Sequence, residues 1–247
     1  MGAAYHRNPS CVQVIVDAVV MARLTPTRSA SGRRTPVQRR SRERVERILS
    51  AAEQLVVSQG FGALGTREVA LRADVPVATL YQYFADRDAI ISALIERHVT
   101  SMDGRIAAAL ASLTSYSVRT VVETTVEAYR AAYLERPSYV VLWFQGRLSA
   151  GIAAYIREHD ERLADEFHRF ATTAGMLRPD ADPLVLRLCF EISDRFLEAA
   201  YRHDLGGDDR IVKEGVEMIV AHLERYATPA GVVGIPADEI AIRWGVS

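Results

Sequence analysis

Residues 79–84 read Thr-Leu-Tyr-Gln-Tyr-Phe. The hydroxyls of Thr79, Tyr81 and Tyr83 suit phosphate oxygens, and the Gln82 amide suits an adenine edge. Arg67, upstream, adds a guanidinium that can meet a base or a phosphate. This is the chemistry of non-covalent recognition. Catalytic chemistry finds no such grouping. Histidines at 98, 159, 168, 203 and 222 show neither HExxH nor another ligand spacing, and there is no GxSxG and no P-loop. The expectation is no catalytic residue, no metal site and no cofactor.

Positioning such residues takes two short helices and a tight turn. A helix is expected over 41–58, with Val45, Ile48, Leu49, Ala52, Leu55 and Val56 forming one stripe. Gln59-Gly60 ends it. A second helix starts at Thr66, read as its N-cap, and buries Val69, Ala70 and Ala73. Asp74-Val75-Pro76 makes the turn. A third helix covers 77–83, with Leu80 and Phe84 facing inward and Thr79, Tyr81, Gln82 and Tyr83 outward. Asp86 caps the next helix, which runs toward Leu110. The unit is a helix-turn-helix, whose second helix must fit a major groove about 12 Å wide.

Charge distribution agrees. The 247 residues carry a net charge of −1. Residues 1–100 hold 14 Arg against 9 acidic residues, while 101–247 hold 16 Lys and Arg against 22 acidic residues. A basic amino-terminal part facing nucleic acid and an acidic remainder follow. Residues 22–41 are rich in Arg, Ser, Thr and Pro without apolar periodicity and are read as disordered. Residues 1–40 form the basic tail, with Met21 as an alternative start. Val12–Val20 is too short and too interrupted to span a membrane. Cys11 and Cys189 form no framework, so a cytoplasmic location is expected.

Thr66-Arg67-Glu68-Val69-Ala70, Ala73-Asp74-Val75, Ala78–Phe84 and Arg87-Asp88-Ala89-Ile90 together resemble the amino-terminal domain of the tetracycline-repressor (TetR) family. The match covers about 43–98. The resemblance implies phosphate or sugar contacts from Thr66, Thr79, Tyr81, Tyr83 and Arg87. It implies base-facing positions at Arg67, Val77, Ala78 and Gln82. Pro76 replaces a capping serine, and Val77 stands where a cation is common, which shifts base reading toward Arg67 and Gln82. Arg87 opens a helix, where a cation is disfavoured; a nearby phosphate would explain it.

After Ser115 the periodicity stays helical, with helices at about 117–134, 138–149, 152–174, 183–204 and 209–226. The fold class expected is all-α: an amino-terminal three-helix domain with the helix-turn-helix, then a helical ligand-binding and dimerisation domain of about six helices. The divisions are 1–40, 41–86, 87–227 and an irregular tail at 228–247, in which 238–244 can form a short helix. The resemblance implies an effector cavity, for which Met102, Tyr129, Tyr133, Trp143, Phe144, Arg147 and Phe190 are the candidate lining. It also implies a homodimer through 183–204 and 209–226, whose apolar stripes are wide enough to meet another chain. Asp194 and Arg195 are read as a surface pair. The function expected is a repressor released from a palindromic DNA operator by an unidentified small molecule, with no membrane partner. Two alternatives stand beside it: a ligand-independent architectural DNA binder, and an enzyme fused to a helix-turn-helix.

Overall fold

The chain was analysed as a computed structural model that describes residues 36–146 and 150–243. The tail over 1–35, Met21 and the 12–20 stretch, as well as Arg147, lie outside the described residues. Among the described residues the fold is all-α apart from one two-stranded sheet. Among the described residues no helix is long and apolar enough to cross a membrane.

Helix α1 spans Pro36–Gln59, five residues longer at its start than its apolar stripe predicts. Pro36 occupies the first position, where its missing N–H costs nothing, and Gln38, Arg39 and Arg40 are good helix formers without apolar periodicity. Residues 36–41 are therefore helical where disorder was expected. Gly60 follows α1 with φ of 82°, the left-handed stop that glycine takes without strain. A 3-10 turn at Phe61–Ala63 leads into α2 (Thr66–Arg72), then α3 (Val77–Tyr81) and α4 (Arg87–Ala111). Later come α5 (Val118–Glu135), α6 (Ser138–Gly146), α7 (Ala150–Thr173), α8 (Leu184–Tyr201) and α9 (Asp209–Glu224).

Backbone contacts divide the chain into two units. Of the described residues, one combines 36–99 with 133–146 and 150–154. Its core gathers Ile48, Ala52 and Leu55 of α1, Val69 and Ala70 of α2, Leu80 of α3, and Ile90, Ile91 and Leu94 of α4. Arg97 of α4 reaches back to Glu46 at 3.0 Å and Glu53 at 2.6 Å on α1. Tyr139 and Trp143 of α6 enclose the buried His98, with ring centroids 3.9 and 5.3 Å away.

The other unit combines residues 100–132 and 155–243. Its main packing is α8 against α9. Asp208 caps α9 by accepting from Arg210 N at 2.9 Å. Gly215 lies so close to the Phe196 ring that a Cβ there would stand 2.3 Å from it.

The carboxy-terminal segment carries the short helix expected near 238–244, but is otherwise more ordered than expected. It holds α10 (Pro229–Val233), α11 (Ala237–Arg243) and a strand at Ile235–Pro236 that pairs antiparallel with Ser115–Tyr116. Thr228 N donates to Met176 O at 2.9 Å, and Ile235 and Ile240 are buried. These partners lie far away in sequence. The Pro- and Gly-rich composition that reads as irregular specifies short elements which dock.

Candidate functional site

The turn between α2 and α3 is built by the backbone. Ala73 is the C-cap of α2, and Asp74 adopts φ of 51°. Asp74 N donates to Leu71 O at 3.2 Å and Val75 N to Ala70 O at 3.1 Å. That pair of bonds is the Schellman arrangement, which satisfies two carbonyls at the helix end. Asp tolerates the left-handed conformation better than most residues do. Pro76 then opens α3 with φ of −56°, and its carbonyl accepts from Thr79 N at 2.8 Å. No side chain caps α3, as the loss of a capping serine at Pro76 predicts.

Around this turn the predicted residues gather on one side. Arg67, Val77, Ala78, Tyr81 and Gln82 are exposed, and Thr66, Thr79 and Tyr83 are half-exposed. Tyr81, 51% exposed, carries a large ring into solvent from a five-residue helix whose buried residue is Leu80. Its hydroxyl lies 3.2 Å from Thr66 Oγ1, so the end of α3 is tied to the start of α2. Thr66 is the first helical residue of α2, not its N-cap; Gly65 is. The Thr66 hydroxyl is directed to Tyr81, not to its own backbone. Ser41 and Arg44 of α1 hold the Tyr83 phenol below its ordinary range by hydrogen bonding. A basic stretch of α1 thus adjoins α3.

Arg87 has a structural partner that sequence reasoning missed. Its Nε donates to Leu64 O at 2.7 Å and its Nη2 to Phe61 O at 3.0 Å. The guanidinium also lies over the Phe61 ring, 4.8 Å from the centroid. These contacts account for a cation at a helix start without a phosphate. Asp86 caps α4 as expected, accepting from Ala89 N at 2.8 Å.

The second feature is an apolar cavity of about 100 Å³ among α5, α7, α8 and α9. Of the candidate lining residues Tyr129 and Phe190 border it, together with Val122, Phe167, Leu186 and Leu197. Met102, Tyr133, Trp143 and Phe144 do not. Tyr133 and Trp143 pack around His98, Phe144 faces Tyr133 with centroids 6.3 Å apart, and Met102 is buried away from the cavity wall. Core and cavity aromatics share one helical spacing, so periodicity does not separate them. Asp194 also lines the cavity, whereas Arg195 pairs with Glu198 at 2.7 Å. Adjacent helical residues point apart, so Asp194 borders the cavity while Arg195, expected to pair with it, meets Glu198. A carboxylate inside an apolar stripe was the signal for this wall. Cys189 lines the cavity as well, and burial pushes its thiol up to about 12, so it is unreactive at neutral pH.

The fold and the exposed face define a helix-turn-helix transcriptional regulator. A family model described as "Bacterial regulatory proteins, tetR family" matches residues 48–94, and a second, "Tetracyclin repressor-like, C-terminal domain", matches 117–223. A TetR-family regulator of Streptomyces coelicolor is similar in structure, with a TM-score of 0.58 at 31% identity, covering 75% of this chain and 98% of that one. The repressor NemR of Escherichia coli is 34% identical over 67 residues, 27% of this chain and 34% of NemR. The regulator HbdR of Aromatoleum is 26% identical over 198 residues, 76% of this chain and 83% of HbdR. The chain spans about a third of the length of NemR and of another curated relative matched at this level. The chain belongs to the tetR family of bacterial regulatory proteins.

Proposed function

We propose that the protein binds double-stranded operator DNA as a homodimer in the cytoplasm and represses transcription until a small molecule releases it. The carrying observation is the exposed face of α2 and α3. Arg67 and Gln82 are assigned to base edges, with Val77 and Ala78 beside them. Thr66, Thr79, Tyr81 and Tyr83 are assigned to phosphate and sugar. Arg87 acts mainly by bracing the 3-10 turn beneath this face. Residues 41–86 form the DNA-binding part and 87–227 the effector and dimer part, with 228–243 docked as a tail.

Dimerisation through α8 and α9 is supported by Leu184, Leu188 and Ile192, which are exposed at four-residue spacing, and by exposed Met218 on α9. Such a stripe pairs naturally across a two-fold axis. The effector site is assigned to the cavity of the same unit. Its apolar wall suits the body of a small organic ligand, which supports a ligand-responsive regulator. Repression is adopted from NemR, whose name describes a repressor.

Tyr81→Ala tests the assignment. It is expected to weaken DNA affinity by about 1–3 kcal/mol, read by fluorescence anisotropy, with an unchanged oligomeric state in ultracentrifugation. Unchanged DNA affinity rejects α3 as the recognition helix.

A further inference from the structure

We infer that the cavity takes an uncharged, lipophilic molecule about one ring in size, and disfavours organic cations and anions alike. The inference rests on the effector role proposed for this cavity and gives it a chemical class.

All the described lining residues belong to one of the two units, so packing within that unit sets the wall. α5 supplies Val118, Val122 and Val126, and α8 supplies Leu186, Phe190 and Leu197. Their spacing of four or seven residues turns one face of each helix inward. The polar groups on the wall belong to the hydroxyl residues Thr125, Tyr129 and Ser193, the thiol Cys189, and the acids Asp160 and Asp194.

These groups offer a ligand no free charge. No Lys, Arg or His is among the described residues that line the cavity, so an anion meets no counter-charge there. Asp160 and Asp194 each engage another group of the chain, so a cation meets carboxylates that are already occupied. Burial keeps Cys189 as the neutral thiol, its ionisation pushed up to about 12, and it adds no charge either. A charged ligand therefore loses its hydration and gains no partner, which makes its burial strongly unfavourable. An uncharged apolar body leaves water readily and gains van der Waals contact with the valines, leucines and rings of the wall.

Volume sets the size. The cavity of about 100 Å³ is of the same order as the roughly 150 Å³ apolar cavity that takes up benzene. One ring, or a short branched chain, fills it.

The test is an NMR titration of the full chain, methyl-labelled, with three probes that share one ring: toluene, benzylammonium and benzoate. Toluene is expected to bind about tenfold or more tighter than either ion. Its protons should show intermolecular NOEs to the methyls of Val122, Leu186 and Leu197. Ala171→Leu enlarges a side chain of the wall and is expected to lower toluene affinity about fivefold or more by filling the space. Failure of toluene to bind overturns the inference, as does equal or tighter binding of either ion to the unaltered protein. So do NOEs that place toluene outside the cavity, and so does unchanged toluene affinity in Ala171→Leu, provided that its thermal melt matches the parent's. DNA binding is titrated separately. Toluene binding without DNA binding refutes the regulator and upholds the cavity chemistry; DNA binding without toluene binding refutes the cavity chemistry alone.

Discussion

Replacing Leu80 by alanine is expected to lower the unfolding free energy by about 3 kcal/mol, within the range of about 2–5 kcal/mol for a fully buried leucine. Leu80 has no exposed surface and is the buried residue of the five-residue α3. A helix this short has little stability of its own. Its position depends on Leu80, together with Phe84 just beyond its end. The truncation leaves a cavity and releases the exposed face that Thr79, Tyr81 and Gln82 present. DNA affinity therefore falls in the same variant although no DNA-facing side chain has changed. Leu71 provides the control. It is 84% exposed on the neighbouring α2, so Leu71→Ala is expected to change stability by less than about 0.5 kcal/mol. Urea denaturation of both variants checks the contrast. Equal midpoints would remove Leu80 as the anchor.

Gly231→Ala is the second large effect. Gly231 is buried in α10, and a Cβ there would stand 2.0 Å from the carbonyl oxygen of Met176. That neighbour is backbone, which is held in place by Thr228 N and cannot turn aside as a side chain does. The new methyl forces α10 off the Gly175–Leu177 turn. With it go the Thr228 bonds, the Ile235 strand pairing and the buried Ile240. The expected cost is about 3 kcal/mol, at the upper end for overpacking. Amide exchange in 228–243 should accelerate strongly. Gly62→Ala adds the same methyl where nothing lies within 4 Å, and it is expected to melt close to the parent. If the two variants melt together, the docked tail contributes nothing to stability.

The contrast between these two sites explains what could be read from the sequence. Leu80, Phe84, Val69 and Ala70 announce themselves by spacing alone, since a helix's buried face recurs every three to four residues. The turn was legible too, through Asp74 and Pro76, because turn chemistry is local. Of the tail only the short helix near 238–243 was legible; its docking was not, because that order comes from Met176 and Ser115, far upstream. The strand of two residues and the helix of five carry no periodicity to detect. The aromatic residues failed for a different reason. Trp143 and Phe144 have the composition of a cavity wall, yet pack into a core around His98 and Tyr133. Tyr129 and Phe190 have the same character and line the cavity. What distinguishes them is the position of neighbouring helices. Arg87 shows the limit of argument from a family pattern. Its charge at a helix start looked costly without DNA, but the carbonyls of Phe61 and Leu64 answer it within the chain.

The most direct test of the regulator assignment is binding-site selection on randomised double-stranded DNA with the full chain, run beside Gln82→Ala. The unaltered protein is expected to enrich a two-fold symmetric site whose half-sites lie about one helical turn apart, roughly 34–36 Å. Gln82→Ala should enrich the same spacing with relaxed preference at one position in each half-site. Enrichment of no sequence, or an asymmetric site that Gln82→Ala leaves unchanged, would contradict a dimer that reads DNA through α3.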